Sequence, residues 1–288
     1  MDIAIIVGLD VVNGIASLIL ISAGLAVIFG MMKIINLAHG EFLMLGAYAT
    51  VLSVSAGANI WLAMLVIAPV FVGLVGVIVE RCLIQFLYGR LVDTMLATWG
   101  LSLMIVGATT MIFGNTIAGV ASPLGSFTVG AFQSSLYTPF LAVMAVLLMA
   151  TVWAVMRYTR VGLIARAVMQ NPDMAATLGV NPTRVYMATF GAGAAMSGLA
   201  GGLLAPIAGV VPTMGAAYIA KAFITVVGGG TSILWGLITA SGLFGFINQI
   251  AAFLTTPVFG EVILFVAAVG LIRMLPTGIS GKFFKGRL

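Results

Sequence analysis

The sequence predicts an all-α integral membrane protein, a polytopic helical bundle of about 8 to 9 spans with two related halves and broken helices. Three observations lead there. Only 7% of the residues are charged while 62% are hydrophobic. Apolar runs of about 20 residues, the length a helix needs to cross a bilayer, recur along the chain. A cation, an amide, the one histidine and a carboxylate crowd into Lys33-Ile34-Ile35-Asn36-Leu37-Ala38-His39-Gly40-Glu41, between two such runs. Polar groups at that place cost several kcal/mol unless protein or water satisfies them, so the stretch reads as a structured break with a function. A transmembrane barrel would instead alternate in segments of about 10 residues.

Spans are expected at 5–30, 41–57, 60–80, 94–114, 138–157, 185–205, a short 216–227, 231–252 and 258–274. The first has no basic region before it and carries Asp10, so it reads as a retained helix and not a cleaved signal. The third contains Pro69, which should kink it by removing a backbone hydrogen bond. Glu80 and Arg81 at its end read as an interfacial ion pair, and Cys82 as a small buried core residue. In the 185–205 span, Gly193, Ser197 and Gly201 recur every four residues, as do Gly198 and Gly202, a smooth stripe for close helix packing. Lys221 in the short span needs a carboxylate or carbonyl partner if it cannot reach an interface. Glu261 opens the last span and reads as solvated, while His39 and Glu41 suit the N-terminus of the second span as capping residues.

Lys33, Arg81 with Arg90, the group Arg157, Arg160, Arg166 and Arg184, and the tail Arg273, Lys282, Lys285 and Arg287 occupy alternate linkers. The segments 115–137, 206–215 and 253–260 have no Lys or Arg. The positive-inside rule then puts the C-terminus in the cytoplasm and, by counting crossings, the N-terminus outside, in a multi-pass membrane protein. The net charge of +5 belongs to this topology and to anionic lipid, not to nucleic acid. One cysteine and one histidine exclude an internal disulfide and a multi-histidine or cysteine metal site, so no metal, cofactor or catalytic residue is expected in the chain.

Ile28-Phe29-Gly30, followed by a polar break and a helix from Phe42, is echoed by Val226-Val227-Gly228-Gly229-Gly230-Thr231-Ser232 and a helix from Ile233. We read one transmembrane domain over 1–288: a first half at about 1–92, linking spans and a long cytoplasmic loop at about 93–184, and a second half at about 185–288. Asn36, His39, Glu41, Lys221, Gly228, Gly229 and Gly230 are the candidate residues of a solute path. The cytoplasmic loop carries Arg166, Asn171, Asp173, Ala175, Ala176 and Gly179. Its Pro172 start, acidic first turn and Gly179 stop describe a short amphipathic helical hairpin, longer than topology requires and suited to docking a cytoplasmic partner.

The run Gly24-Leu-Ala-Val-Ile-Phe29-Gly30-Met-Met-Lys-Ile-Ile-Asn36-Leu-Ala38-His39-Gly40-Glu41-Phe-Leu-Met-Leu45-Gly46-Ala47-Tyr48 resembles the signature of LivH-type permease subunits of branched-chain amino acid ABC importers. The resemblance continues through Leu96-Ala-Thr-Trp-Gly100-Leu-Ser102, Arg166-Ala167, 171–179 and 226–230. It implies a permease for branched-chain or other amino acids. It also implies a second, non-identical permease subunit, two cytoplasmic ATPase subunits holding ATP and Mg²⁺, and an extracytoplasmic substrate-binding protein. The form Ala97-Thr98-Trp99-Gly100 is similar to the urea and short-amide branch. One departure is that Ala175-Ala176 reaches Gly179 a residue earlier than the coupling loops of other ABC importers, with no preceding Glu. Phosphate-loop spacing is absent, since Gly278-Ile-Ser-Gly281-Lys282-Phe283 is too short and lacks the hydroxyl, so the chain itself is no ATPase. A competing reading makes Lys33, His39, Glu41 and Lys221 the relay of an ion-coupled secondary transporter or channel. An intramembrane enzyme is disfavoured, because the one histidine lies near no nucleophile elbow.

Overall fold

The computed structural model describes residues 2–115, 119–129, 132–230 and 232–283, so Thr231, Lys285 and Arg287 lie outside the described residues. The expected spans are helices: α1 (Asp2–Met32), α2 (His39–Ser55), α3 (Ile60–Leu62) continuing into α4 (Ala68–Cys82), α5 (Leu91–Phe113) and α6 (Tyr137–Tyr158). The hairpin α7 (Arg160–Gln170) and α8 (Pro172–Thr177) follows. Then come α9 (Pro182–Ala208), α10 (Met214–Gly229), α11 (Ile233–Leu254), α12 (Pro257–Met274) and the short α13 (Gly278–Phe283). By length and composition seven helical segments among the described residues can cross a membrane, while α2 with 17 residues and α10 with 16 are shorter. The chain is an all-α polytopic membrane protein.

One small β element interrupts the helices. Strands β1 (Ser126–Val129) and β2 (Phe132–Ser135) pair antiparallel in the register Ser126 to Ser135 and Phe127 to Ser134. Phe127, Thr128 and Val129 are the aromatic and β-branched residues that suit a pleated strand.

The third span changes its helical form just before Pro69. Five residues before the proline, Ala63–Ile67, form a π-helical turn in which the Ala68 N–H donates to the Ala63 carbonyl. Pro69 follows this turn inside the continuous helical segment Ile60–Cys82, where it has no N–H to donate to the ladder. The ladder thus absorbs the proline by widening one turn.

The chain divides into two compact units, one of residues 1–22, 122–150 and 221–288, the other of 23–121 and 151–220. In the second unit α9 is the central helix, and its small residues explain why. Gly24 of α1 meets the Gly193 carbonyl and Ser197, while Gly46 of α2 meets the Gly198 backbone. A side chain on Gly201 would strike the Leu43 carbonyl, and one on Gly198 would lie 2.7 Å from Val72 of α4. The two offset small-residue rows therefore seat several different neighbours, whose backbones approach as closely as interhelical packing allows. Around them Ile28, Phe42, Val72, Phe190 and Ala194 form a buried cluster, with the Phe42 and Phe190 rings edge to face at 6.0 Å.

In the first unit, Leu18, Ala240, Phe244, Leu264 and Ala268 make the core. Gly229 of α10 and Gly236 of α11 abut backbone to backbone, each 2.6 Å from where the other's Cβ would stand.

Two expectations on the third span are corrected. Glu80 is fully buried and accepts a hydrogen bond from the Tyr88 hydroxyl instead of pairing with exposed Arg81, because the turn Ile84–Leu87 brings the tyrosine back over the helix end. Desolvation, and next the hydrogen bond to Glu80, pushes the Tyr88 phenol well above its ordinary range. Cys82 is exposed, not a core residue, since with Arg81 it lies on the outward side of the last turn of α4 while Glu80 and Ile84 turn inward.

Candidate functional site

Helix α1 ends in an unusual residue. Lys33 has φ 57, the left-handed conformation usually left to glycine at a helix C-terminus, which costs a lysine on the order of 1 kcal/mol. Its N–H donates to the Phe29 carbonyl at 3.0 Å and its ammonium lies 6.0 Å over the Phe29 ring, so the exposed side chain folds back on the helix it ends.

The backbone between Lys33 and α2 has no helical ladder, and neighbouring side chains replace it. Asn36 is fully buried and its Oδ1 accepts from the Ala38 N–H at 3.0 Å, closing a local turn. The Leu37 N–H donates to Thr98 Oγ1 on α5 at 3.1 Å, and the Thr98 hydroxyl in turn donates to the Thr94 carbonyl at 2.8 Å. A break at membrane depth is tolerated only when its polar groups are satisfied this way.

His39 and Glu41 then open α2. His39 is 0% exposed, and its Nδ1 lies 3.2 Å from Ser197 Oγ on α9. Ser197 Oγ also donates to the Gly193 carbonyl at 3.0 Å. The histidine ties the break to the central helix rather than capping α2, whose N-cap residue Ala38 offers no side-chain bond. Glu41 is buried in the first turn, where the helix dipole favours a carboxylate. It accepts hydrogen bonds from the Ser102 hydroxyl and from its own N–H, which leaves Oε2 without a partner. The Nδ2 of Asn36 is likewise unpartnered. Asn36, His39 and Glu41 are thus all buried at the break, and Asn36 Nδ2 and Glu41 Oε2 keep hydrogen-bonding capacity to spare.

The other path candidates lie in the other unit. Gly228 and Gly229 are helical residues of α10, so the break is narrower than the 228–230 expected. Gly230 alone has left the helix, with φ 85, and Ser232 restarts the chain with its N–H donating to Ser280 Oγ at 2.9 Å. Helix pitch explains the correction: Gly228 packs under the Phe244 ring and Gly229 against Gly236, both of which need an intact last turn. Lys221 has the carboxylate partner it required. Its Nζ is 2.5 Å from Glu261 Oε1, so Glu261 is engaged in an ion pair and is not merely solvated.

The hairpin of α7 and α8 follows the sequence closely. Asn171 Oδ1 accepts from the Met174 N–H at 2.9 Å, Pro172 occupies the first turn beside Asp173, and Gly179 ends the element with φ 86. Arg166 Nε reaches back to the Gly162 carbonyl at 3.3 Å. Ala175 is buried against the body and Ala176 is exposed. Met174 is 61% exposed and Leu178 is 80% exposed, so the tip of the hairpin presents apolar side chains outward.

Thr98, Ser102 and Ser197, noted in the sequence only within a resemblance and a packing row, are the polar partners of the break that sequence reasoning missed. A signal was available: Thr94, Thr98 and Ser102 recur every four residues along an otherwise apolar helix, which places three hydroxyls on one face.

A family model described as the branched-chain amino acid transport system permease component matches residues 9–272. The high-affinity branched-chain amino acid transport permease LivH of Escherichia coli K12 is 28% identical, the match covering 91% of each chain. Its probable counterpart in Methanocaldococcus jannaschii is 24% identical over 93% of this chain and 90% of its own. BraD of Pseudomonas aeruginosa, also a high-affinity branched-chain amino acid transport permease, is 28% identical over 95% of each. No solved structure matches the chain.

Proposed function

Since the chain belongs to the family of permease components of branched-chain amino acid transport systems, we propose that it is the membrane subunit of an ATP-binding cassette importer carrying amino acids inward. The single observation that carries this reading is the family match across nearly the whole chain, together with relatives whose names give that solute. ATP and Mg²⁺ belong on separate cytoplasmic ATPase subunits, and a soluble binding protein delivers solute to the face poor in Lys and Arg. The protein sits in the bacterial inner membrane with the N-terminus outside and the C-terminus inside. A second, non-identical permease completes the path.

Asn36, His39 and Glu41 at the first break are the residues we assign to that path; in the other unit Gly228 and Gly229 are taken up by packing inside α10, and Lys221 by its ion pair with Glu261. What supports this is the spare polar capacity of Asn36 Nδ2 and Glu41 Oε2, held on fixed backbone, which can exchange partners with a passing solute at little cost. The hairpin residues Arg166, Asn171, Asp173, Ala175, Ala176 and Gly179 form the ATPase contact. ATP binding moves that element as a rigid body and exposes the path to alternate sides.

Uptake into vesicles holding the permeases and ATPases, with the binding protein outside, tests the assignment. Labelled leucine should enter when ATP is enclosed, and collapsing the proton gradient should not stop it. Entry that follows urea or acetamide in preference to leucine would move the solute to the amide branch, and loss of uptake on collapsing the gradient would favour the ion-coupled reading. The same assay examines the histidine. His39→Gln keeps a hydrogen-bonding side chain that cannot titrate near neutral pH, and should retain uptake from pH 5.5 to 8. His39→Leu leaves the Ser197 side unmet and should cost about 1 to 3 kcal/mol of stability. A glutamine variant dead at every pH would contradict this.

A further inference from the structure

Helices α4 and α9 leave an open apolar groove of about 500 Å³ along one side of their contact, within one unit. Val70, Leu74 and Val77 form one wall, and Ala188, Gly191 and Ala192 the other. The pair runs antiparallel: Gly198 faces Val72 and Ala68, while Gly191, seven residues earlier, faces Val77. The α4 side of the groove runs from Leu65 to Val77. Twelve residues of helix rise about 18 Å, little more than half of a hydrocarbon core of about 30 Å. A crossing helix would need the full thickness, whereas one leaflet's acyl chain needs half.

Charge marks one end of this groove. Arg81 lies four residues beyond Val77 on the same face of α4, and Arg184 four residues before Ala188 on the same face of α9. Because the helices are antiparallel, both arginines come to the same mouth. Both are exposed, and among the described residues neither forms an ion pair; Glu80, beside Arg81, is turned inward to Tyr88. Tyr88 and Tyr186 stack edge to face at 5.0 Å near this mouth, the depth at which interfacial aromatic residues sit. Both arginines also belong to the linkers on the positive side of the protein, facing the leaflet that holds anionic lipid.

We propose that this groove is the seat of one anionic phospholipid of the cytoplasmic leaflet. An acyl chain lies along Val70, Leu74 and Ala192, and the phosphate is held by Arg81 and Arg184. The chain of small residues on α9 gives the acyl chain room, and the arginines select the headgroup. Its occupancy is independent of which solute the permease carries.

Native mass spectrometry of the full chain released from nanodiscs reads this directly. The probes are dioleoyl phosphatidylglycerol and phosphatidylcholine with the same acyl chains. The wild type should retain one phosphatidylglycerol about thirtyfold more strongly than phosphatidylcholine, two cations each acting on one anionic headgroup. Arg81→Gln with Arg184→Gln should erase that preference while leaving elution and helicity unchanged, since both side chains are exposed. Ala192→Phe, which fills the groove, should lower retention of both lipids. Equal retention of the two lipids by the wild type, or a preference that survives the double arginine change, overturns the proposal. So does efficient disulfide cross-linking of two chains through Ala192→Cys in a Cys82→Ser background, which would make the groove a seat for protein.

Discussion

Gly201→Leu should leave no folded protein. A Cβ at this position meets the Leu43 carbonyl oxygen and comes within 3.1 Å of the Ala47 N, both backbone atoms of α2. A rotamer change cannot move a carbonyl, so α2 and α9 would have to part, and the contacts of Gly46 with Gly198 would go with them. Overpacking usually costs about 1 to 3 kcal/mol because side chains yield; a backbone collision belongs to the tail above about 4 kcal/mol, comparable to the whole stability of many domains. Gly107→Ala is the matched control. Nothing lies within 4 Å of its Cβ, and alanine should stabilise α5 by about 0.5 to 1 kcal/mol. Fluorescence-detected size exclusion with a thermal ramp separates the two. A monodisperse Gly201→Leu variant melting within a few degrees of the wild type would mean that α2 and α9 do not cross here.

That contrast also marks how far the sequence can be read. Helix positions were legible because the spans are apolar runs, seven of them long enough to cross a membrane, and the small-residue rows at 193, 197 and 201 and at 198 and 202 announced the central helix. Which neighbour each row receives was not legible, since spacing describes one surface and not its partner. The same limit governed the polar groups. Spacing located Asn36, His39 and Glu41, but the hydroxyls that satisfy the break come from Thr98, Ser102 and Ser197, far along the chain. Glu80 and Glu261 were misread for one reason: their partners, Tyr88 and Lys221, are fixed by a turn and by a tertiary packing that no local pattern encodes. The hairpin was read nearly whole because its caps are local. Asn171, Pro172 and Gly179 act within a few residues of themselves, and the left-handed backbone at Gly179 is what a glycine stop implies.

That hairpin supports the other large effect. Met174→Asp with Leu178→Asp should abolish ATP-driven uptake while the permease still inserts, folds and reaches full expression. Both side chains point away from the body, 61% and 80% exposed, so the fold loses almost nothing when they change. Ala175, buried against the body, and the Asn171 cap keep α8 in place, so the docking element stays presented but its apolar tip becomes anionic. If these side chains fill a cleft on an ATPase, two desolvated carboxylates there should weaken the complex at least about a hundredfold, since each buried unpaired charge costs several kcal/mol. Co-purification of the ATPase and the ATP turnover stimulated by loaded binding protein should fall together. Ala176→Ser, exposed and nearly isosteric, should leave both unchanged. Full stimulated turnover in an assembled Met174→Asp, Leu178→Asp variant would show that force enters the permease elsewhere, and the exposed large apolar residues of α7, Val161, Leu163 and Ile164, would be the next to change.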